Sequence, residues 1–219
     1  MFEGRAPEGA IAIHQGAFVI SILDYGAGNL RSVQNTLGEI GAEYELVRDA
    51  AGLSRATKII LPGVGHFGQI MRALDQMQVR DALIERIRAG VPFLGICLGL
   101  QALFESSEEA TEERGLGLFK GEICRFSAAA RVPHMGWNEI EPGTLREPGA
   151  KLLRDLAPHP YLYFAHSYYA PVTDATAATC HYTVPYTAVL ETENIFGVQF
   201  HPEKSGPIGM KIVRNFVEL

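Results

Sequence analysis

From Ala17 to Cys97 the chain alternates short apolar, β-rich runs with stretches whose apolar residues recur at helical spacing, and this alternation constrains the fold more than any other feature. "AFVISILD" (17–24) leads into the turn "YGAGN" and then "LRSVQNTLGEIG", a helical pattern closed by Gly41. "EYELV" (43–47) and "KIILPGVG" (58–65) read as strands. Two helices follow, from about Phe67 to Met77 and from about Val79 to Ala89, the second stopped by Gly90-Val91-Pro92 before the strand "PFLGI". Strands separated by helices pair in parallel and carry helices on both faces, so the expected class is α/β around a central, mostly parallel sheet. After Ser106 the pieces "GEICRF", "WNEIE", "YLYFAHSYY", "ATAATCHYT", "TAVLE" and "IFGVQF" predict a mixed or antiparallel extension of that sheet. Residues 207–219 are apolar at helical spacing and should pack back on a sheet face.

A length of 219 residues suits one α/β domain, expected over 18–219. Residues 1–17, "MFEGRAPEGAIAIHQGA", carry acids, a proline and glycines where a signal peptide needs a continuous apolar core, so they are expected to be a flexible N-terminal extension or the product of an early start codon. The net charge of −6 leaves no basic footprint for nucleic acid, and the longest apolar run, around Val91–Leu100, is too short to cross a membrane. Cys97, Cys124 and Cys180 form neither an even disulfide framework nor a C-x-x-C pair, which argues against a zinc site and fits a reducing cytoplasm.

"FLGICLGLQ" (93–101) sets Cys97 between Gly95 and Gly99, at the end of an apolar run and before a helical pattern. Two readings stand. Cys97 is a small buried hydrophobe, or it is a nucleophile on a sharp strand-to-helix turn, the cysteine counterpart of the elbow that exposes a serine in α/β hydrolases. A nucleophile needs a base, an orienting group and an oxyanion site. "IFGVQFHPEKS" (195–205) offers the first two: on an extended backbone His201 and Glu203, two residues apart, point the same way, and Pro202 keeps His201 extended. The same "HPE" also reads as a turn at a strand end. "PGVG" (62–65) is either a tight turn or a backbone aimed at a developing oxyanion on the carboxyl edge of the sheet. "YGAGN" is not a dinucleotide fingerprint, because the sixth position from Gly26 is Arg31; Gly26 and Gly28 read as turn residues.

Together "DYGAGNL", "LPGVGHFG", "GICLGLQ", "GLGLFKG", "VPHMGWN", "FAHSYY" and "GVQFHPEKS" resemble the class I (triad-type) glutamine amidotransferases, and among them the glutaminase subunits of imidazole glycerol phosphate synthase, from about Phe18 to Leu219. The resemblance implies a flavodoxin-like sheet flanked by helices with an antiparallel extension. It makes Cys97 the nucleophile, His201 the general base and acid, and Glu203 the orienting carboxylate. It implies an oxyanion hole from the backbone of Leu98 and the Gly63-Val64-Gly65 strand. Gln101 and Glu109 would hold the α-amino and α-carboxylate region of the substrate, with Gly65 and the backbone of His166, Ser167 and Tyr168 lining the same pocket. Asn29, Trp137, Asn138 and Lys204 would face a partner. His66 stands where the family has a smaller residue and should touch only the pocket rim, while the side chains of Tyr25, His134, Tyr163 and Tyr168 read as core or turn residues. Cys124 and Cys180 are expected to be buried and inert.

By this resemblance the chain hydrolyses L-glutamine to glutamate and ammonia through a thioester, uses no metal or cofactor, and passes ammonia to a cyclase subunit, a (β/α)8 barrel, for histidine biosynthesis. Beside His201 at a helix start, the thiol should be more acidic than that of a free cysteine. Two rivals remain: an autonomous cysteine hydrolase of the same fold, acting at full rate alone, and a non-catalytic flavodoxin-like scaffold.

Overall fold

A computed structural model of the chain describes residues 19–26, 29–143 and 150–219. The extension expected over 1–17 and the turn residue Gly28 lie outside the described residues. The elements in chain order are β1 (Ile20–Leu23), α1 (Leu30–Glu39), β2 (Tyr44–Val47), α2 (Ala50–Arg55), β3 (Lys58–Gly63), α3 (Phe67–Gln76), α4 (Arg80–Arg88), β4 (Phe93–Cys97), α5 (Leu98–Gln101), β5 (Phe104–Ser107), β6 (Phe119–Arg125), β7 (His134–Glu139), β8 (Glu141–Pro142), β9 (Tyr161–His166), β10 (Tyr168–Tyr169), β11 (Thr176–His181), β12 (Pro185–Glu191), β13 (Ile195–Val198) and α6 (Gly206–Val217).

Eight strands form the main sheet in the order β2-β1-β3-β4-β13-β12-β11-β8. The first five pair in parallel, and β12, β11 and β8 extend the sheet antiparallel. The expected architecture is therefore present, with its parallel half in the doubly wound order that places ligands beyond the strands' carboxyl ends. Alternate residues of β3 serve opposite layers: Ile59 and Leu61 pack with Leu53, Phe67, Ile70 and Leu83 under α2, α3 and α4, while Ile60 packs with Val33, Leu37, Ile212 and Phe216 under α1 and α6.

One expectation is corrected by the structure, and two local features go beyond what the sequence pattern showed. The other β-rich pieces do not all join the main sheet, because β10-β6-β5 and β7-β9 form separate small sheets. The helix after the elbow is a single turn, since the chain re-enters a strand at Phe104. Helix α2, which the apolar pattern did not reveal, is nucleated by Asp49, whose side chain accepts the Gly52 N–H at 2.7 Å.

Candidate active site

Strand β4, "FLGIC", is buried throughout and lies between β3 and β13, so the chain leaves the sheet from its centre at Cys97. Cys97 itself takes the left-handed turn (φ 53°, ψ −104°), a conformation that costs a non-glycine residue about 1–3 kcal/mol. The flanking glycines serve by allowing close approach. A Cβ on Gly99 would sit 2.0 Å from the Leu61 carbonyl oxygen, and one on Gly95 would sit 2.5 Å from the Gly99 carbonyl. The turn is thus wedged against β3, which holds the strained nucleophile in place.

His201 and Glu203 lie beyond β13. Their pairing does not come from an extended strand as the spacing suggests: His201 is extended (φ −100°, ψ 95°), but Pro202–Lys204 form a 3-10 turn that folds the carboxylate back onto the ring. His201 Nδ1 and Glu203 Oε1 are 2.9 Å apart, and neither side chain is more than 3% exposed. Glu203 Oε2 is buried and has no hydrogen-bond partner among the described residues. Burial opposes a charge on His201, but its hydrogen bonds with the Cys97 sulfur and the Glu203 carboxylate outweigh that effect and raise the imidazole to about 10.

A cavity of about 180 Å³ opens over this group, the scale of one amino acid. Val64, Gly65, Cys97, Leu98, Gln101, Glu109, His166, Ser167, Tyr168 and His201 line it, as do Pro133, Met135 and Ala165, which sequence reasoning missed because they reach the site only through the β7–β9 pairing. Glu203 stands behind His201 and outside the lining. Gly63, at the end of β3, is in register with Cys97, which brings Val64 and Gly65 to the elbow. Glu109 Oε2 accepts the Phe67 N–H at 2.7 Å, so the same carboxylate faces the cavity and anchors the start of α3. His66 caps that helix instead, its Nδ1 accepting the Gly68 N–H at 3.1 Å, and does not line the cavity.

Buried polar groups continue behind the cavity wall. Gln101 Nε2 donates to the Tyr168 carbonyl at 2.7 Å and to Gln199 Oε1 at 3.1 Å, and Gln199 Nε2 donates to Cys97 Sγ at 3.6 Å. The Tyr168 carbonyl also accepts from His166 Nδ1 at 2.8 Å. That fixes the His166 tautomer, leaving Nε2 to accept from the Tyr186 hydroxyl at 3.3 Å, which in turn contacts His134 Nδ1 at 3.2 Å. Burial depresses both histidines, His134 to about 4 and His166 to about 3, and keeps them neutral at physiological pH. Gln199 escaped the sequence reading: in "GVQF" it has the look of an ordinary polar position in a strand.

The four residues expected at a partner surface differ in placement. Trp137 is 56% exposed on β7, and Lys204 Nζ lies 5.8 Å from the centre of the Tyr163 ring. Asn138 turns inward, donating to the His181 carbonyl at 3.1 Å, and Asn29 accepts the Ser32 hydroxyl at 2.8 Å at the start of α1. Cys180 is buried and its thiol is pushed up to about 11, chiefly by burial. Cys124 is only half-buried, contrary to expectation, because β6 buries Ile123 and turns the following residue to its open face; burial and the nearby Glu108 and Glu122 still raise its thiol. Among the described residues no group of three or more His, Cys, Asp or Glu could hold a metal ion, and no helix is long and apolar enough to cross a membrane.

The family model "Glutamine amidotransferase class-I" matches residues 21–219. The imidazole glycerol phosphate synthase subunit HisH of Desulfitobacterium hafniense (strain Y51) is 44% identical over 200 residues, covering 90% of this chain and 93% of that protein. The HisH subunit of Methanothermobacter thermautotrophicus is 45% identical over 202 residues, covering 92% of this chain and 98% of its own. Among solved structures, a glutamine amidotransferase superposes with a TM-score of 0.71 at 19% identity, covering 91% of this chain and 97% of that one. The structure of PurLQS from Thermotoga maritima gives 0.70 at 20% identity, with the same coverage. At such identities these two likenesses speak for the fold.

Proposed function

Since the chain belongs to the class-I glutamine amidotransferase family, we propose that it is the glutaminase subunit of an imidazole glycerol phosphate synthase, a single amidotransferase domain that hydrolyses L-glutamine and hands ammonia to a cyclase partner. The observation that carries this reading is Cys97 and His201 at the base of a cavity of amino-acid size, with Glu203 against the far side of the imidazole.

In the proposed reaction His201 takes the thiol proton and Cys97 attacks the side-chain carboxamide of glutamine. The backbone N–H groups of Leu98 and Val64 receive the oxyanion of the tetrahedral intermediate. His201 returns its proton to the departing ammonia, leaving a γ-glutamyl thioester. Water, deprotonated by the same imidazole, then releases glutamate and regenerates the thiol. Glu203 keeps the ring's Nε2 toward sulfur through its bond to Nδ1 and offsets the positive charge that forms. Glu109 and Gln101 line the cavity where they can hold the amino-acid end of the substrate.

The partner reading is supported by an apolar surface beside the cavity mouth. Met135, Trp137 and Tyr161 on β7 and β9 are 64%, 56% and 54% exposed, and Met135 also lines the cavity. Large exposed apolar groups beside a site are where a protein partner gains most from burial. In this reading a (β/α)8 cyclase barrel covers that face and receives the ammonia in a cytoplasmic heterodimer.

The test is Cys97→Ala. The variant should fold, should lose glutamine hydrolysis and labelling by a glutamine-mimicking diazoketone, and should still support synthesis from added ammonia when the cyclase is present. Retained hydrolysis would remove Cys97 from the chemistry, and failure of the wild-type chain to become labelled would favour the scaffold.

A further inference from the structure

Gln199, the residue after β13, is fully buried and takes no part in the proton transfers described above. Its two polar ends are both engaged: Nε2 donates to Cys97 Sγ at 3.6 Å, and Oε1 accepts from Gln101 Nε2 at 3.1 Å. The orientation of this amide follows from chemistry. A backbone carbonyl only accepts, so Gln101 must present its NH₂ to the Tyr168 oxygen, 2.7 Å away. That NH₂ has a second hydrogen, which needs an acceptor, so Gln199 turns its oxygen toward it and its own NH₂ toward the sulfur.

From this geometry we propose that Gln199 is a positioning residue that aims the Cys97 sulfur and stabilises its thiolate, and that it couples the nucleophile to the side chain of Gln101 on the cavity wall. An N–H donor bonds more strongly to a thiolate than to a neutral thiol or a thioester sulfur. Its contribution is therefore greatest before attack and again when the thioester breaks and sulfur departs with the electron pair. The link through Gln101 means that whatever fills the cavity and moves Gln101 also moves the donor on the sulfur. The kinetic part of the proposal rests on the glutaminase reading; the thiolate part does not.

The experiment compares the wild-type full-length chain with Gln199→Met, close in shape but without the donor, and Gln199→Glu, which sets a carboxylate against the sulfur. The pH dependence of Cys97 alkylation by iodoacetamide is followed by peptide mass spectrometry, and glutamine turnover is measured alongside. A lost charge-assisted hydrogen bond corresponds to about a 10- to 100-fold loss of thiolate, so the alkylation midpoint of Gln199→Met should rise by about one to two pH units, and that of Gln199→Glu further. Turnover should fall by about the same factor, mainly in kcat, because substrate holding is left to other groups. Gln101→Met, which frees the Gln199 amide without touching sulfur, should move the midpoint in the same direction by less, and it serves in place of Gln199→Met should that variant not fold. Unchanged midpoints in the folded variants would overturn the proposal even if the chain proves a glutaminase. A wild-type chain without glutaminase activity, but with the shifted midpoints, would overturn the functional reading and leave the thiolate role standing.

Discussion

Glu203 Oε1 lies 2.9 Å from His201 Nδ1 in a contact almost wholly closed to solvent, and the other carboxylate oxygen has no hydrogen-bond partner among the described residues. The contact orients and stabilises the imidazole without requiring the proton to leave the ring. Glu203→Gln should therefore slow glutamine hydrolysis substantially but less than His201→Ala, which removes the imidazole that hydrogen-bonds the Cys97 sulfur. Steady-state rates of the two variants decide the matter, and the reverse ranking would assign the proton transfer elsewhere.

The wedge between Gly99 and Leu61 makes a prediction about stability. A methyl group at Gly99 would collide with backbone, the Leu61 carbonyl oxygen at 2.0 Å, and backbone cannot rotate away as a side chain can. Gly99→Ala should lower the free energy of unfolding by at least about 1–3 kcal/mol, measured by urea titration. It should also displace the elbow, so alkylation of Cys97 should change as well. A variant with wild-type stability and reactivity would show that the elbow is not held by this contact.

How the site reads from sequence differs residue by residue. The Cys97 elbow was legible because an apolar strand run and two glycines are local signals, although the glycines act by close approach and the positive φ falls on the cysteine itself. His201 and Glu203 were legible as a pair, but their geometry was not: two-residue spacing implied a strand, and the proline instead opens a 3-10 turn that brings the side chains together by another route. Pro133, Met135 and Ala165 were invisible because they join the cavity only through long-range strand pairing. Gln199 was invisible for a different reason. Alternation marks which face a side chain takes, and it says nothing about a buried polar group whose partners lie about a hundred positions away in the chain, as Cys97 and Gln101 do. The parallel half of the sheet, by contrast, was legible because its strands and longer helices carry their own periodicity; only the short α2, set by the Asp49 cap, does not.

The two buried histidines predict acid lability. His134 and His166 are held near 4 and 3 in the fold, against an ordinary value of 6.5, by burial first of all. Below pH 6.5 the unfolded chain binds protons that the folded chain refuses, so their stabilisation is complete above that pH and is lost as pH falls toward 4 and then 3. Each histidine contributes a slope of up to about 1.4 kcal/mol per pH unit in that window. His201 has the opposite sign: raised to about 10, its contribution is full below 6.5 and declines only as pH rises from there, so it does not mask the acid loss. Urea midpoints should fall steadily from about pH 7 to about pH 4.5, and His134→Phe should flatten part of the slope. Midpoints independent of pH across this range would contradict neutral, buried imidazoles.

Docking of the proposed cyclase should control the glutaminase. Val64 lies between Gly63 and Gly65 at the point where β3 comes into register with Cys97, and Gly65 has a φ of +104°. Glycine has little preference between the two halves of backbone space, so Gly63 and Gly65 lower the penalty for turning the peptide groups on either side of Val64, which can present either a carbonyl or an N–H toward the elbow. An oxyanion hole that lacks one donor loses roughly 10²–10³ in rate, and a misplaced substrate adds to the loss. The exposed Met135 is both a wall of the cavity and part of the apolar surface proposed for the cyclase, so docking there acts directly on the site. A partner that binds only the turned strand draws the population toward it by its difference in affinity for the two states. Glutamate production should therefore be very low for the chain alone and should rise by at least about 10²-fold when the cyclase and its nucleotide ligand are both present. The measurement is the rate of glutamate release under three conditions: the chain alone, with cyclase, and with cyclase plus ligand. Equal rates in all three would reject control through the oxyanion strand and would favour a hydrolase that acts on its own.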